Sequence, residues 1–221
     1  GLSGEALRQT LANFDGAICR SGVNITAEAL NGNRRLKTIA RAGVGTDNID
    51  RTAATRLGIV VMNTPSGNTI STAEHAFTLM LALSRNVYPA YRSLSEGRWD
   101  RKHYMGTQLA DKTLGIVGLG RIGQEFAKRA KAFQLRILGF DPFISPDRAS
   151  ELGVELVETV HDMLPQVDYL TVHTPLTNET RNLISFKEIE MIKSGARLIN
   201  CARGGIYDEQ ALAAGLQRGK L

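Results

Sequence analysis

A short apolar run, Leu114-Gly115-Ile116-Val117, passes directly into Gly118-Leu119-Gly120-Arg121-Ile122-Gly123 and from there into a helical pattern. That order admits few folds. Gly118 permits a tight turn, Gly120 lets the main chain approach a phosphate with no side chain between, and Gly123 lets the new helix pack closely on the strand. The helix also directs its free N–H groups at an anion. A glycine triplet alone is a weak signal, but here a second strand, Leu135 to Phe140, follows the helix and ends at Asp141-Pro142. The Asp141 carboxylate stands where a ribose 2′-hydroxyl is held, and it would repel a 2′-phosphate, which favours NAD over NADP.

Upstream, strand and helix candidates alternate at Gly16 to Arg20, Thr26 to Leu30, Leu36 to Arg41, Arg51 to Leu57 and Ile59 to Met62, which reads as parallel βα units. The turn-rich Asn63-Thr64-Pro65-Ser66-Gly67-Asn68 marks a crossing between two domains. The expected architecture is α/β: a smaller set of parallel βα units over residues 1–66, and a doubly wound, Rossmann-type NAD domain over 67–221. Ser71-Thr72-Ala73-Glu74 reads as a capping box opening one helix that runs to about Ser95. Its apolar residues Ala73, Phe77, Met80, Leu81, Val87 and Tyr91 fall mostly on one side; either it is the longest core helix, or part of it and the loop after it face a second subunit.

Further on, Ser145-Pro146-Asp147 starts a short helix that Gly153 ends. Strand candidates at Val154 to Leu156, Val167 to His173 and Ala196 to Asn200 bring the count from Leu114 onward to five. Ser185-Phe186-Lys187-Glu188 is another capping box, and Asp208 caps a last helix over Glu209 to Leu216. A doubly wound dinucleotide domain ordinarily carries a sixth strand, so the NAD domain reads as incomplete at its C-terminal end.

With 221 residues, 43% of them hydrophobic, the chain is long enough to bury a sizeable core. The formal charge of +5 comes from scattered basic residues and no basic block, so nucleic acid is not indicated; an anionic small substrate or an ordinary solvated surface accounts for it equally well. Cys19 and Cys201 have no zinc or disulfide spacing, which implies no bound metal and fits a reducing, cytoplasmic setting. No apolar stretch reaches the length of a membrane span. Without an initiator Met, and opening at Gly1-Leu2-Ser3, the sequence reads like a piece of a longer polypeptide.

In an open parallel sheet, ligands lie beyond the carboxyl ends of the strands. Three such ends stand out: Asp141-Pro142, His173-Thr174-Pro175 and Asn200-Cys201-Ala202-Arg203-Gly204-Gly205. Arg203 is the strongest catalytic candidate, because a guanidinium there is able to grip a carboxylate bidentately and polarise the neighbouring carbonyl. His173 titrates in a range suited to proton transfer, yet its place beside Pro175 argues for lining the cofactor crevice instead. His75, His103 and His161 read as structural.

These segments, with Arg20-Ser21, Arg41-Ala42-Gly43-Val44-Gly45-Thr46-Asp47-Asn48-Ile49-Asp50 and Asn63-Thr64-Pro65 with Gly67-Asn68, resemble the D-isomer-specific 2-hydroxyacid dehydrogenases, most closely their phosphoglycerate-oxidising branch, over essentially the whole chain. The resemblance implies that residues 1–66 are part of a smaller, flavodoxin-like substrate domain, that Arg20, Ser21, Arg41, Gly43 and Asn68 hold a substrate phosphate or carboxylate, and that Arg101 is offered across a homodimer or higher homo-oligomer. It implies cofactor contacts from Val44, Gly118, Gly120, Arg121, Ile122, Gly123, Asp141, Pro142, His173, Thr174, Pro175, Cys201, Ala202 and Arg203, and a 2-hydroxy acid bound at Arg203. The family's proton-accepting His and its partner Glu have no counterpart in these 221 residues, so little activity is expected of the chain alone. A glyoxylate or hydroxypyruvate reductase of the same family, and an NAD(H)-sensing corepressor-like binding protein, are the alternatives.

Overall fold

A computed structural model describes residues 2–221, which form two compact units, one up to Asn68 and one from Thr69 to Leu221. The first contains α1 (Gly4–Leu11), β1 (Gly16–Cys19), α2 (Ala27–Leu30), β2 (Thr38–Arg41), α3 (Arg51–Arg56) and β3 (Val60–Asn63). Its three strands are parallel in the order β1-β2-β3. Side chains of a strand alternate between faces. Cys19 and Ile39 therefore point into a core with Leu7, Leu11, Ile25, Leu30, Ile49 and Ile59, while Ile18, Val60 and Met62 stand exposed on the other face. The Thr26 hydroxyl accepts the Ala29 N–H to start α2, and the Asp50 carboxylate accepts the Ala53 N–H to start α3. Helix α1, held down by Leu7 and Leu11 one turn apart, was not among the elements expected.

The second unit runs α4 (Thr69–Ser84), α5 (Val87–Ser95), a 3₁₀ turn (Arg101–Tyr104), β4 (Thr113–Val117), α6 (Arg121–Ala132), β5 (Arg136–Phe140), α7 (Pro146–Leu152), β6 (Glu155–Leu156), α8 (Val160–Met163), β7 (Tyr169–Val172), α9 (Phe186–Met191), β8 (Arg197–Asn200) and α10 (Glu209–Gln217). Its strands form one parallel sheet in the order β6-β5-β4-β7-β8. Both faces are covered, as an all-parallel sheet requires. Leu114, Ile116, Ile137 and Tyr169 pack with Phe77 and Met80 of α4 and Phe126 of α6. Val117, Leu138, Leu170 and Val172 pack with Met163, Ile189 and Ala211 of the helices opposite.

The expectation of one helix from Ser71 to Ser95 is corrected. The helix begins at Thr69, so Ser71 lies within its first turn and is not the cap of a box with Glu74. It also breaks after Ser84, where Asn86 takes a left-handed backbone (φ 51°) before α5. Pro89 explains the break: in an unbroken helix its ring would meet the carbonyl of Arg85, four residues earlier, and it has no N–H to give. Val87 and Tyr91, expected on the packed side, are exposed. The box at Ser185 and Glu188 forms as expected, Asp208 caps α10, and a second box at Thr159 and Asp162 starts α8.

Tyr169, fully buried, ties α4 to the sheet. Ser84 donates its hydroxyl hydrogen to the Met80 carbonyl (2.6 Å), so the Tyr169 hydroxyl, 2.8 Å away, donates to Ser84 and accepts from Arg197 (3.0 Å). Both buried hydroxyls, of Ser84 and Tyr169, are thereby satisfied.

Candidate functional site

In the second unit, register aligns the carboxyl ends of four strands. Phe140, Val117, Val172 and Asn200 lie in one row, so Asp141, Gly118, His173 and Cys201 follow them along one sheet edge. The chain leaves β4 toward β5 on one side, and β7 lies on the other, which makes the β4–β7 boundary the switch point of the sheet. Gly118 sits at that boundary with φ 93°, and a Cβ there would lie 2.8–2.9 Å from Thr174 and the His173 carbonyl. Only glycine fits both demands.

The rest of the turn is equally constrained. A side chain on Gly123 would be driven directly into the Gly118 carbonyl oxygen, whereas one on Gly120 would meet nothing within 4 Å. Close packing thus requires one glycine, and open space lies beside the other. Asp141 holds the turn: one carboxylate oxygen accepts the Leu119 N–H (2.7 Å) and the other the Phe143 N–H (2.8 Å). The Thr174 hydroxyl oxygen is buried with no hydrogen-bond partner among the described residues. An orphaned buried hydroxyl costs free energy unless something meets it. Free first-turn amides of α6, open space beside Gly120 and an unmet hydroxyl at the switch point together fit the diphosphate of a dinucleotide.

His173 packs its ring against Phe126 (centroids 5.2 Å apart) and has its Nε2 3.1 Å from the Thr171 hydroxyl. Burial lowers its pKa to about 4, so the ring is neutral near pH 7. Arg121, Pro142 and Pro175 are exposed beside these ends, and Ile122 is partly packed against the core. At the end of β8, the Asn200 side chain accepts the Ala202 N–H (2.9 Å) and donates to the Arg203 carbonyl (2.8 Å), clamping the loop that carries Cys201, Ala202 and Arg203. The Arg203 guanidinium is exposed and donates to the Ala202 carbonyl at 2.8 Å. Burial pushes the Cys201 thiol up, so it is no ready nucleophile. Arg101 stands apart on the 3₁₀ turn beside α5, exposed.

In the first unit, Cys19 pairs with Arg41 in register, which sets Arg20 and Arg41 at neighbouring strand ends. Asn48 joins them: its amide donates to the carbonyls of Arg20 (3.1 Å) and Val23 (2.6 Å), and its oxygen accepts from Arg41 Nε (3.3 Å). The Arg41 guanidinium also donates to the Ala42 carbonyl, and it occupies the space a Cβ on Gly43 would need. The Val44 carbonyl accepts from the Asn63 side chain (2.7 Å) at the end of β3. Ser21 and Asn68 lie exposed at chain turns.

Sequence reasoning named Asn48 and Asn200 only as parts of segments and passed over Gln124, Arg148 and Phe143. A side-chain amide within a strand-end loop was the available signal at the first two. Among the described residues no group of His, Cys, Asp and Glu is arranged to hold a metal, and no helix is long and apolar enough to cross a membrane.

Residues 77–221 match the family model for the D-isomer specific 2-hydroxyacid dehydrogenase NAD binding domain. The chain belongs to the D-isomer-specific 2-hydroxyacid dehydrogenase family. NAD is therefore its cofactor, as the turn and Asp141 led us to expect. Similar members include proteins named D-3-phosphoglycerate dehydrogenase from Methanocaldococcus jannaschii, 46% identical over all 221 residues, and from Bacillus subtilis, 48% identical over 95% of the chain. The chain spans 42% and 40% of those two relatives. Among solved structures, NAD-dependent formate dehydrogenase from Staphylococcus aureus in complex with NAD superposes on 99% of the chain with TM-score 0.89 and 33% identity, over 66% of its own length. D-Lactate dehydrogenase from Aquifex aeolicus, complexed with NAD and lactic acid, covers 97% of the chain at TM-score 0.89 and 30% identity, over 64% of its own length. The matched domain contains the whole of the five-stranded sheet described above.

Proposed function

We propose that the chain is part of an enzyme that oxidises D-3-phosphoglycerate to 3-phosphohydroxypyruvate, the first step of serine biosynthesis, with NAD as hydride acceptor. The observation that carries the substrate class is the placing of Arg20 and Arg41 at adjacent strand ends, with Asn48 bonded to the Arg20 main-chain carbonyl and to the Arg41 side chain. Two cations so placed suit a phosphate and a carboxylate. Relatives of 44–48% identity that bear the phosphoglycerate dehydrogenase name support the same choice.

When bound, NAD supplies the electrophilic ring carbon that takes hydride from C2. To Arg203 we assign a substrate carboxylate and negative charge on the C2 oxygen, and to Arg20, Ser21, Arg41, Gly43 and Asn68 a phosphate or carboxylate of the substrate. The Thr174 hydroxyl and the amides past Gly118 take the diphosphate; Val44, Pro142, Pro175, Cys201 and Ala202 border the cofactor. The proton acceptor is not His173, whose buried ring has a pKa of about 4. His161 is engaged 2.9 Å from Glu188, and His75 and His103 lie on α4 and the 3₁₀ turn, so the 221 residues alone turn over slowly. A placed acid–base group contributes about a hundredfold to ten-thousandfold.

The exposed Val87, Tyr88, Tyr91 and Leu94 of α5, with Trp99 and Met105 after it, are the face we assign to a second copy of the chain, with Arg101 beside it. Two unpaired cysteines support our assignment of a cytoplasmic setting. The test of substrate is a side-by-side assay of a full-length version with NADH and 3-phosphohydroxypyruvate, hydroxypyruvate or glyoxylate. Preference for the phosphorylated keto acid is expected, and preference for an unphosphorylated one overturns the reading.

A further inference from the structure

The peptide between Leu119 and Gly120 decides whether the glycine turn presents an N–H or a carbonyl to the cofactor. In a planar trans peptide the two point in opposite directions. Glycine at position 120 has no Cβ to resist a flip of that unit, so sterics alone leave its orientation open. A side chain closes it. Gln124, in the first turn of α6, donates its amide hydrogen to the Leu119 carbonyl (2.9 Å). With the carbonyl drawn toward Gln124, the Gly120 N–H points the other way, and no group of the chain accepts it among the described residues.

The orientation of the Gln124 amide is itself determined. Arg148 of α7 donates through Nε (3.3 Å) and Nη2 (3.0 Å) to the Gln124 oxygen, and arginine has no acceptor to offer, so the nitrogen must face Leu119. Arg148 is in turn paired with Glu151 at 2.7 Å. On its amino side Leu119 is held by Asp141. The central residue of the turn is therefore gripped from both ends.

We infer that Gln124, backed by Arg148, is a positioning residue that fixes the Leu119–Gly120 peptide with its N–H toward the diphosphate of NAD. The inference deepens the assignment of this turn to the diphosphate and rests on it.

The test is equilibrium titration of the 221-residue chain with NADH, ADP-ribose and adenosine, for the parent and for Gln124→Leu, Gln124→Glu and Gly120→Val. Gln124→Glu keeps an acceptor for Arg148 and loses the donor to Leu119. Both Gln124 variants should weaken NADH and ADP-ribose by about tenfold while adenosine, which has no phosphate, stays within about twofold, because one peptide's aim is lost and the sugar site is intact. Unchanged ADP-ribose affinity in both variants, or an equal loss for adenosine, overturns the inference. Gly120→Val separates the two levels: if it leaves ADP-ribose binding intact, the diphosphate lies elsewhere and the assignment of the turn falls, taking this inference with it.

Discussion

The Asp141 carboxylate accepts the Leu119 main-chain N–H at 2.7 Å, so the acid ending one strand holds the middle of the glycine turn that ends its neighbour. Its second oxygen accepts the Phe143 N–H. Each oxygen has a further lone pair, which leaves room for a ribose hydroxyl without releasing either amide. In the assignment proposed above, one side chain shapes the diphosphate turn and reads the sugar beside it.

That double duty makes two substitutions behave differently. Asp141→Asn keeps an acceptor for Leu119 and removes the charge, so NAD affinity should fall by only a few-fold while discrimination against NADP relaxes. Asp141→Ala removes both and should weaken NAD by about tenfold or more. Titration with each cofactor checks the pair, and unchanged selectivity in both variants removes the carboxylate from this role.

The two glycines of the turn should separate folding from binding. Gly123→Ala forces a methyl against the Gly118 carbonyl and should cost about 1–3 kcal/mol of stability. Gly120→Ala meets nothing and should leave stability unchanged while weakening NAD. Urea denaturation followed by NADH titration reads both, and a stable Gly123→Ala chain would contradict the packing described.

His173 gives a pH dependence of definite sign. Its folded pKa of about 4 lies below the ordinary 6.5, so between those values the unfolded chain binds the extra proton. Its contribution to stability is therefore full above pH 6.5, declines as pH falls below that, and levels off near pH 4. His173→Asn should flatten this part of the stability profile, and an NMR titration should show the ring still neutral at pH 5. A midpoint near 6.5 would refute the burial argument.

Ser84 and Tyr169 form a coupled pair under the sheet. Ser84→Ala leaves the buried Tyr169 O–H without its acceptor and should cost about 1–3 kcal/mol; with Tyr169→Phe added, the loss should be less than the sum of the two single losses. Additive losses in chemical denaturation would deny the coupling.

Much of this was legible in the residues because the signals are local. The run from Leu114 to Asp141 carries its strand, turn, helix and acid in order, and Ser185-Phe186-Lys187-Glu188 needs only its own four positions to cap a helix. Other features depend on partners distant in sequence. Gln124 meets Arg148 across 24 residues and Ser84 meets Tyr169 across 85, and no spacing rule announces either. Ser71 and Glu74 show the converse error: a hydroxyl three residues before a Glu is as compatible with a helix interior as with its start, and only the fold placed the start at Thr69. Pro89 was the readable sign of the break at Asn86, passed over because the apolar pattern continued through it.

The most direct test of the account is a crystal structure of the chain with NAD. It should place the diphosphate within hydrogen-bond reach of the Gly120 N–H and the first amides of α6, with the adenosine ribose hydroxyls on Asp141. A dinucleotide bound away from this edge of the sheet, or a diphosphate facing the Leu119 carbonyl, would contradict it.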